Sequence, residues 1–96
     1  MIVRFLEVAR AEFEAAAEAY DRQREGRKAR FQDAVRVAVD RITLLPESGS
    51  ILEGEYRRCL LKRFPYSIIY HAAPEEIVII AVYHQHRRPG RWKGRA

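Results

Sequence analysis

The chain reads as an α+β fold: an N-terminal strand, an antiparallel helical hairpin, then a three-stranded antiparallel C-terminal sheet. Three observations predict it. Two successive segments carry apolar residues at helical spacing, Phe13-Ala16-Ala17-Tyr20 and Phe31-Ala34-Val35-Ala38-Ile42-Leu45. Residues 56–83 break into short β-rich runs separated by proline-bearing turns. The helical block precedes the strand block instead of alternating with it, which is the α+β arrangement.

Ile2 to Leu6 is short, apolar and bounded by charge, and reads as the first strand. Ala9 to about Arg24 is dense in Ala and Glu, both strong helix formers. Gly26 interrupts the pattern and supplies a stop. The second helix runs from about Lys28 to Leu45, and Pro46 ends it. So short a connection folds the two helices back on each other. Glu47 to Gly54 (ESGSILEG) reads as a turn-rich loop. Tyr56–Phe64, Tyr66–His71 and Ile77–Tyr83 follow as strands, with turns at Pro65 and at residues 73–76. The last strand is apolar on both faces, as a central strand should be.

Ninety-six residues make one domain, 1–96, with enough chain for one modest core. Cys59 is the sole cysteine, so neither an internal disulfide nor a multi-cysteine zinc site is available. No run of apolar residues is long enough to span a membrane, and Arg4 and Glu7 interrupt any signal-like stretch. A cytoplasmic protein with no membrane partner and no cofactor is expected.

Charge is distributed unevenly. Residues 1–83 hold thirteen Lys/Arg and thirteen Asp/Glu, so the net charge of +5 comes from the tail, His84 to Ala96. That tail, HQHRRPGRWKGRA, has five basic side chains and no acidic one. Residues 56–96 hold nine basic and two acidic groups, a net of +7, which calls for an acidic or polyanionic partner.

Element order and motif together resemble the RelE/ParE superfamily of bacterial toxins from type II toxin–antitoxin pairs. The stretch YRRCLLKRFPYSIIYHAAPEEIVIIAVYHQHRRPGRW, residues 56–92, carries the likeness. It has a basic strand, then Phe64-Pro65-Tyr66 with Ile68 and Tyr70, an acidic turn, an apolar strand, and the ending His84, Arg87, Pro89. The resemblance implies a toxin held inactive by a co-encoded antitoxin, whose acidic amphipathic segment would lie over a groove between helices and sheet. Within the superfamily, ParE-like toxins bind and poison DNA gyrase, and RelE-like toxins cleave mRNA on the ribosome.

Two features favour the ParE-like branch, which inhibits gyrase by protein–protein binding. The helices are long, and Ser67 stands where the ribonuclease pattern has an arginine after Tyr66. That arginine would stabilise the strained phosphate, and electrostatic stabilisation of this kind contributes heavily to such catalysis. Arg58 or Arg63 remains able to present a guanidinium from the neighbouring strand. The enzyme alternative, a ribosome-dependent mRNA endonuclease, would use Arg57, Arg63, His84 and Arg87. A third alternative is a non-toxic nucleic-acid-binding module, whose affinity would fall steeply with salt.

The candidate partner-binding residues are Arg57, Arg58, Lys62, Arg63, His86, Arg87, Arg88, Arg91 and Trp92. Strand alternation sends Arg57, Cys59, Leu61 and Arg63 to one face and Arg58, Leu60 and Lys62 to the other. The same charges also suit an edge strand protected against aggregation. Arginine gives bidentate contacts to carboxylate or phosphate, and Trp92 offers a stacking plane or an anchor, against the plainer reading of a solubilising tail. His84 and His86 share a face if the last strand continues, which suits proton transfer or, more simply, a hydrogen-bonded strand end. No third metal ligand lies nearby, so no metal is expected. Cys59 has no activating neighbour in sequence and reads as core filler.

Overall fold

The computed structural model describes residues 1–86 and 92–95. Strand β1 (Ile2–Phe5) leads into helices α1 (Glu7–Gln23) and α2 (Arg27–Leu44). Four strands follow: β2 (Ser50–Glu53), β3 (Tyr56–Leu60), β4 (Tyr66–Ala72) and β5 (Glu76–His84). They form one sheet in the order β1-β5-β4-β3-β2. β1 pairs with β5 in parallel, and the other neighbours are antiparallel. The apolar run of residues 77–83 is therefore central, flanked on both edges and buried on both faces.

Both helices lie on one face of the sheet. Ala9, Ala16, Ala17 and Tyr20 of α1 and Phe31, Val35, Ala38 and Ile42 of α2 pack with Cys59, Leu61, Ile68, Tyr70, Ile77, Ile79 and Val82. Phe31 centres an aromatic cluster, with Phe13, Tyr20, Phe64 and Tyr66 all within 5.9 Å of its ring centroid. The turn between the helices needs Gly26, whose φ of 84° is one that side-chain-bearing residues avoid.

Several local expectations are corrected. The loop over residues 47–54 contains a further strand, β2, which makes β3 an interior strand and removes the edge-strand reading of its charges. The sequence hides β2 because its burial pattern is almost wholly exposed and offers no alternation. β3 ends at Leu60, not Phe64, because the chain must reverse into β4 and Pro65 alone is too short a turn. Leu45 leaves the helical stripe at the end of α2 and is 58% exposed.

The second face of the sheet carries a smaller cluster, Ile69, Val78, Ile80 and Ala81, completed by Trp92 from the tail. Among the described residues no helix is long and apolar enough to cross a membrane.

Candidate functional site

The described candidate residues lie on β3, in the β3–β4 reversal, at the end of β5 and in the C-terminal segment. Arg57 is half-buried on the helix side of β3, in register with Tyr70. Its Nη1 donates to the carbonyls of Glu47 at 3.0 Å and Gly49 at 2.8 Å, so it fastens the loop after α2. Arg58, in register with Ile69, shares the opposite face with the Trp92 cluster.

Lys62 and Arg63 lie beyond β3 in the reversal toward β4, both exposed. Alternation therefore does not extend to Arg63, and pairing it with Arg57 on one face is corrected. Arg63 adopts φ 69°, the sole positive value of a non-glycine residue among those described. Such a conformation costs about 1–3 kcal/mol and persists only where surroundings enforce it.

His84 ends β5, opposite Tyr66, with ring centroids 5.1 Å apart in an edge arrangement. The backbone N–H of His86 donates to His84 Nδ1 at 3.0 Å. His86 is exposed, and its ring stacks obliquely on that of His84. Ser67, at the position where the ribonuclease pattern has arginine, is 1% exposed. Burial raises the Cys59 thiol above its usual range, against a weaker opposing pull from Arg41, so it is a poor nucleophile.

Trp92 is 5% exposed and meets Tyr56 edge-on with centroids 5.0 Å apart. Its indole plane is therefore occupied, and the expectation of a free stacking platform is corrected. Two ion pairs hold the same segment down. Lys93 meets Glu53 at 2.9 Å, and Arg95 grips Glu12 through both carboxylate oxygens at 2.9 and 3.0 Å. Arg95 also donates to the Ile80 carbonyl, while Glu12 accepts the N–H of Val82. β1 pairs only as far as Ile79, so these two side chains cap the stretch of β5 that β1 leaves open. Arg87, Arg88 and Arg91 lie outside the described residues.

Sequence reading missed a third group of cations. Arg27, Arg30 and Arg41 of α2 join Lys62 and Arg63 around a groove of about 430 Å³ beside β3. The usable signal was a second stripe on α2, Arg27-Arg30-Ala34-Val37-Arg41, overlooked because it is not uniformly apolar.

The chain has known relatives in family and in fold. Residues 3–89 match the family described as the ParE toxin of type II toxin-antitoxin system, parDE. Comparison with curated proteins gives no match. Among solved structures, a chain from the chromosomal ParDE toxin–antitoxin system of P. aeruginosa is similar in fold. Its TM-score is 0.62 at 19% identity, over 88% of this chain and 95% of that one. With the strand–hairpin–sheet order in place and the family matched across nearly the whole length, the chain belongs to the ParE toxins of type II toxin–antitoxin systems.

Proposed function

We propose that this toxin acts as a ParE-like inhibitor of DNA gyrase, through protein–protein contact, and is neutralised by an acidic co-encoded antitoxin. The observation that carries the reading is the family match over residues 3–89, together with the engagement of the Arg57 guanidinium within the fold. Arg57 is engaged by the loop carbonyls of Glu47 and Gly49, Arg63 sits in the β3–β4 reversal, and His84 lies against Tyr66. A phosphate-cleaving site needs its donors free to meet one phosphate, and the Arg57 guanidinium is already taken by two loop carbonyls. The net charge of +7 over residues 56–96 supports an acidic partner.

Purified chain titrated into a gyrase supercoiling reaction tests the proposal. Dose-dependent loss of supercoiling, or trapped cleaved DNA, supports it, and replacing Arg87, Arg88 and Arg91 by alanine then measures the tail's share. No effect at micromolar protein overturns it and moves the question to ribosome-bound mRNA, where His84→Ala and Arg63→Ala would be compared. Salt-sensitive binding to duplex DNA without either activity would favour the non-toxic nucleic-acid-binding module.

A further inference from the structure

The stretch of β5 beyond Ile79 has a strand on one side only. β4 pairs with it as far as His84, whereas β1 stops at Phe5, opposite Ile79. Among the described residues no other strand lies on that side. Two main-chain groups face outward there, the Ile80 carbonyl and the Val82 N–H. A neighbouring strand would answer them with an amide and a carbonyl. Here two side chains do so: Arg95 Nη1 donates to the Ile80 carbonyl at 3.1 Å, and Glu12 Oε1 accepts the Val82 N–H at 3.1 Å.

The same two side chains hold each other. The Arg95 guanidinium meets both carboxylate oxygens of Glu12, at 2.9 and 3.0 Å, and the two side chains are 18% and 17% exposed. Guanidinium and carboxylate thus stand where the N–H and C=O of an added strand would be. Helix α1 does not itself shut this edge. Between it and β5 runs a trough of about 330 Å³, whose α1 wall includes the small side chains Ala11, Ala15 and Ala19.

The outward groups complement themselves. An antiparallel copy of β5, related by a two-fold axis at Ala81, would set each Val82 N–H against the other copy's Ile80 carbonyl. Those bonds use the groups that Arg95 and Glu12 occupy, so strand pairing and the ion pair exclude each other. An unguarded strand edge invites a further strand, and covering it with charged side chains is one way a fold prevents that.

We propose that β5 carries a strand-pairing site for a second copy of this chain, and that the Glu12–Arg95 pair is the plug that keeps it shut. Lifting the C-terminal segment then releases a dimerisation edge. The proposal does not depend on which target the toxin inhibits.

Sedimentation velocity on the full chain and on a Glu12→Ala/Arg95→Ala double variant tests it, with Val82 amide exchange by NMR as the local readout. Removing both partners leaves no charge unpaired at the edge. The parent is expected to be monomeric, with its Val82 amide protected at every concentration. The double variant is expected to dimerise at least ~100-fold more tightly than the parent, with Val82 protection that rises with protein concentration. Lys93→Ala, which removes the exposed pair with Glu53, should behave as the parent. Circular dichroism checks the fold, and Glu12→Ala alone replaces the double variant if that unfolds.

A variant that stays monomeric at ~1 mM overturns the proposal. A dimer whose Val82 protection does not change with concentration also overturns it, because that dimer forms through another surface. A parent chain that already dimerises as tightly as the variant shows that the ion pair is no plug, and overturns it too.

Discussion

Tyr70 shows how one side chain can fasten a loop that has no regular structure of its own. Its ring is fully buried, and its hydroxyl donates to the Pro46 carbonyl at 2.8 Å and accepts the Gly49 N–H at 3.0 Å. Tyr70→Phe leaves both backbone groups without their partner. Such a loss costs about 1–3 kcal/mol, expected as a lower denaturant midpoint with unchanged slope. Gly49 belongs to the same latch, since a Cβ there would stand 2.5 Å from the Tyr70 hydroxyl and 2.9 Å from the Arg58 carbonyl. Gly49→Ala and Tyr70→Phe should therefore combine non-additively in a double-mutant cycle. Burial also raises the pKa of Cys59, and that of Tyr20, where Tyr66 adds to the shift and Arg27 opposes it. Both groups hold their protons more tightly folded than unfolded. Their contribution is thus fully present below the unfolded values, about 8.5 for thiol and 10 for phenol, and is lost as pH rises above them. Urea melts at pH 7 and pH 10 should show the lower midpoint at pH 10, and Cys59→Ala and Tyr20→Phe should each narrow the gap. Neither contact set is visible in sequence, because Gly49 and Tyr70 meet only through the fold.

At the scale of elements, legibility followed hydrophobic period. The two helices and β5 were readable because each buries a regular face: Phe31, Val35, Ala38 and Ile42 fall on one side of α2, and β5 is buried on both. β2 was not, because an edge strand of four residues is held by backbone pairing to β3 and leaves three of its four side chains exposed, Leu52 alone packing on the second-face cluster. The end of β3 was also obscure, since Leu61 continues the apolar pattern after Leu60 although the chain has begun to turn. The hairpin's hold on the sheet is concentrated in the aromatic cluster. Phe31 is fully buried, with Phe13 stacked on it at 5.9 Å and Tyr20, Phe64 and Tyr66 around it. Phe31→Ala removes the ring that helices and sheet share, at about 3–5 kcal/mol. For a domain with about 5–15 kcal/mol in total, that is a large fraction. Thermal unfolding should move down by well over ten degrees, about 4–8 °C per kcal/mol at this size. A variant of the exposed Leu44 to alanine serves as the control, expected within about 0.5 kcal/mol of the parent.

Across the whole molecule, composition located the positive half of the chain, and topology decided what each charge does. Arg57 and Arg58 are neighbours in sequence, yet one ties a loop and the other lies on the far face. The groove cations of α2 come from the half of the chain that is net negative, so no count by segment could find them. The tail differs most from its sequence reading. Trp92, Lys93 and Arg95 cross the sheet face that the helices leave open, and are pinned to β3, β2 and α1 respectively. A truncation at Tyr83 would thus remove a structural strap along with the candidate gyrase contacts, and loss of activity in it would be ambiguous. The strap has its own reporter, because Trp92 is the only tryptophan in the chain. Glu12→Gln keeps an acceptor for the Val82 N–H but removes the charge that holds Arg95, whose side chain is 18% exposed in the pair. Charge-assisted hydrogen bonds of this kind contribute about 1.5–3 kcal/mol, enough to free the last turn. Trp92 emission should then shift to longer wavelength and become open to acrylamide quenching, with far-UV circular dichroism unchanged. Lys93→Ala, which removes an exposed pair, should do neither. Emission unchanged in Glu12→Gln would mean that Tyr56 and the apolar cluster hold the indole without help from the ion pair.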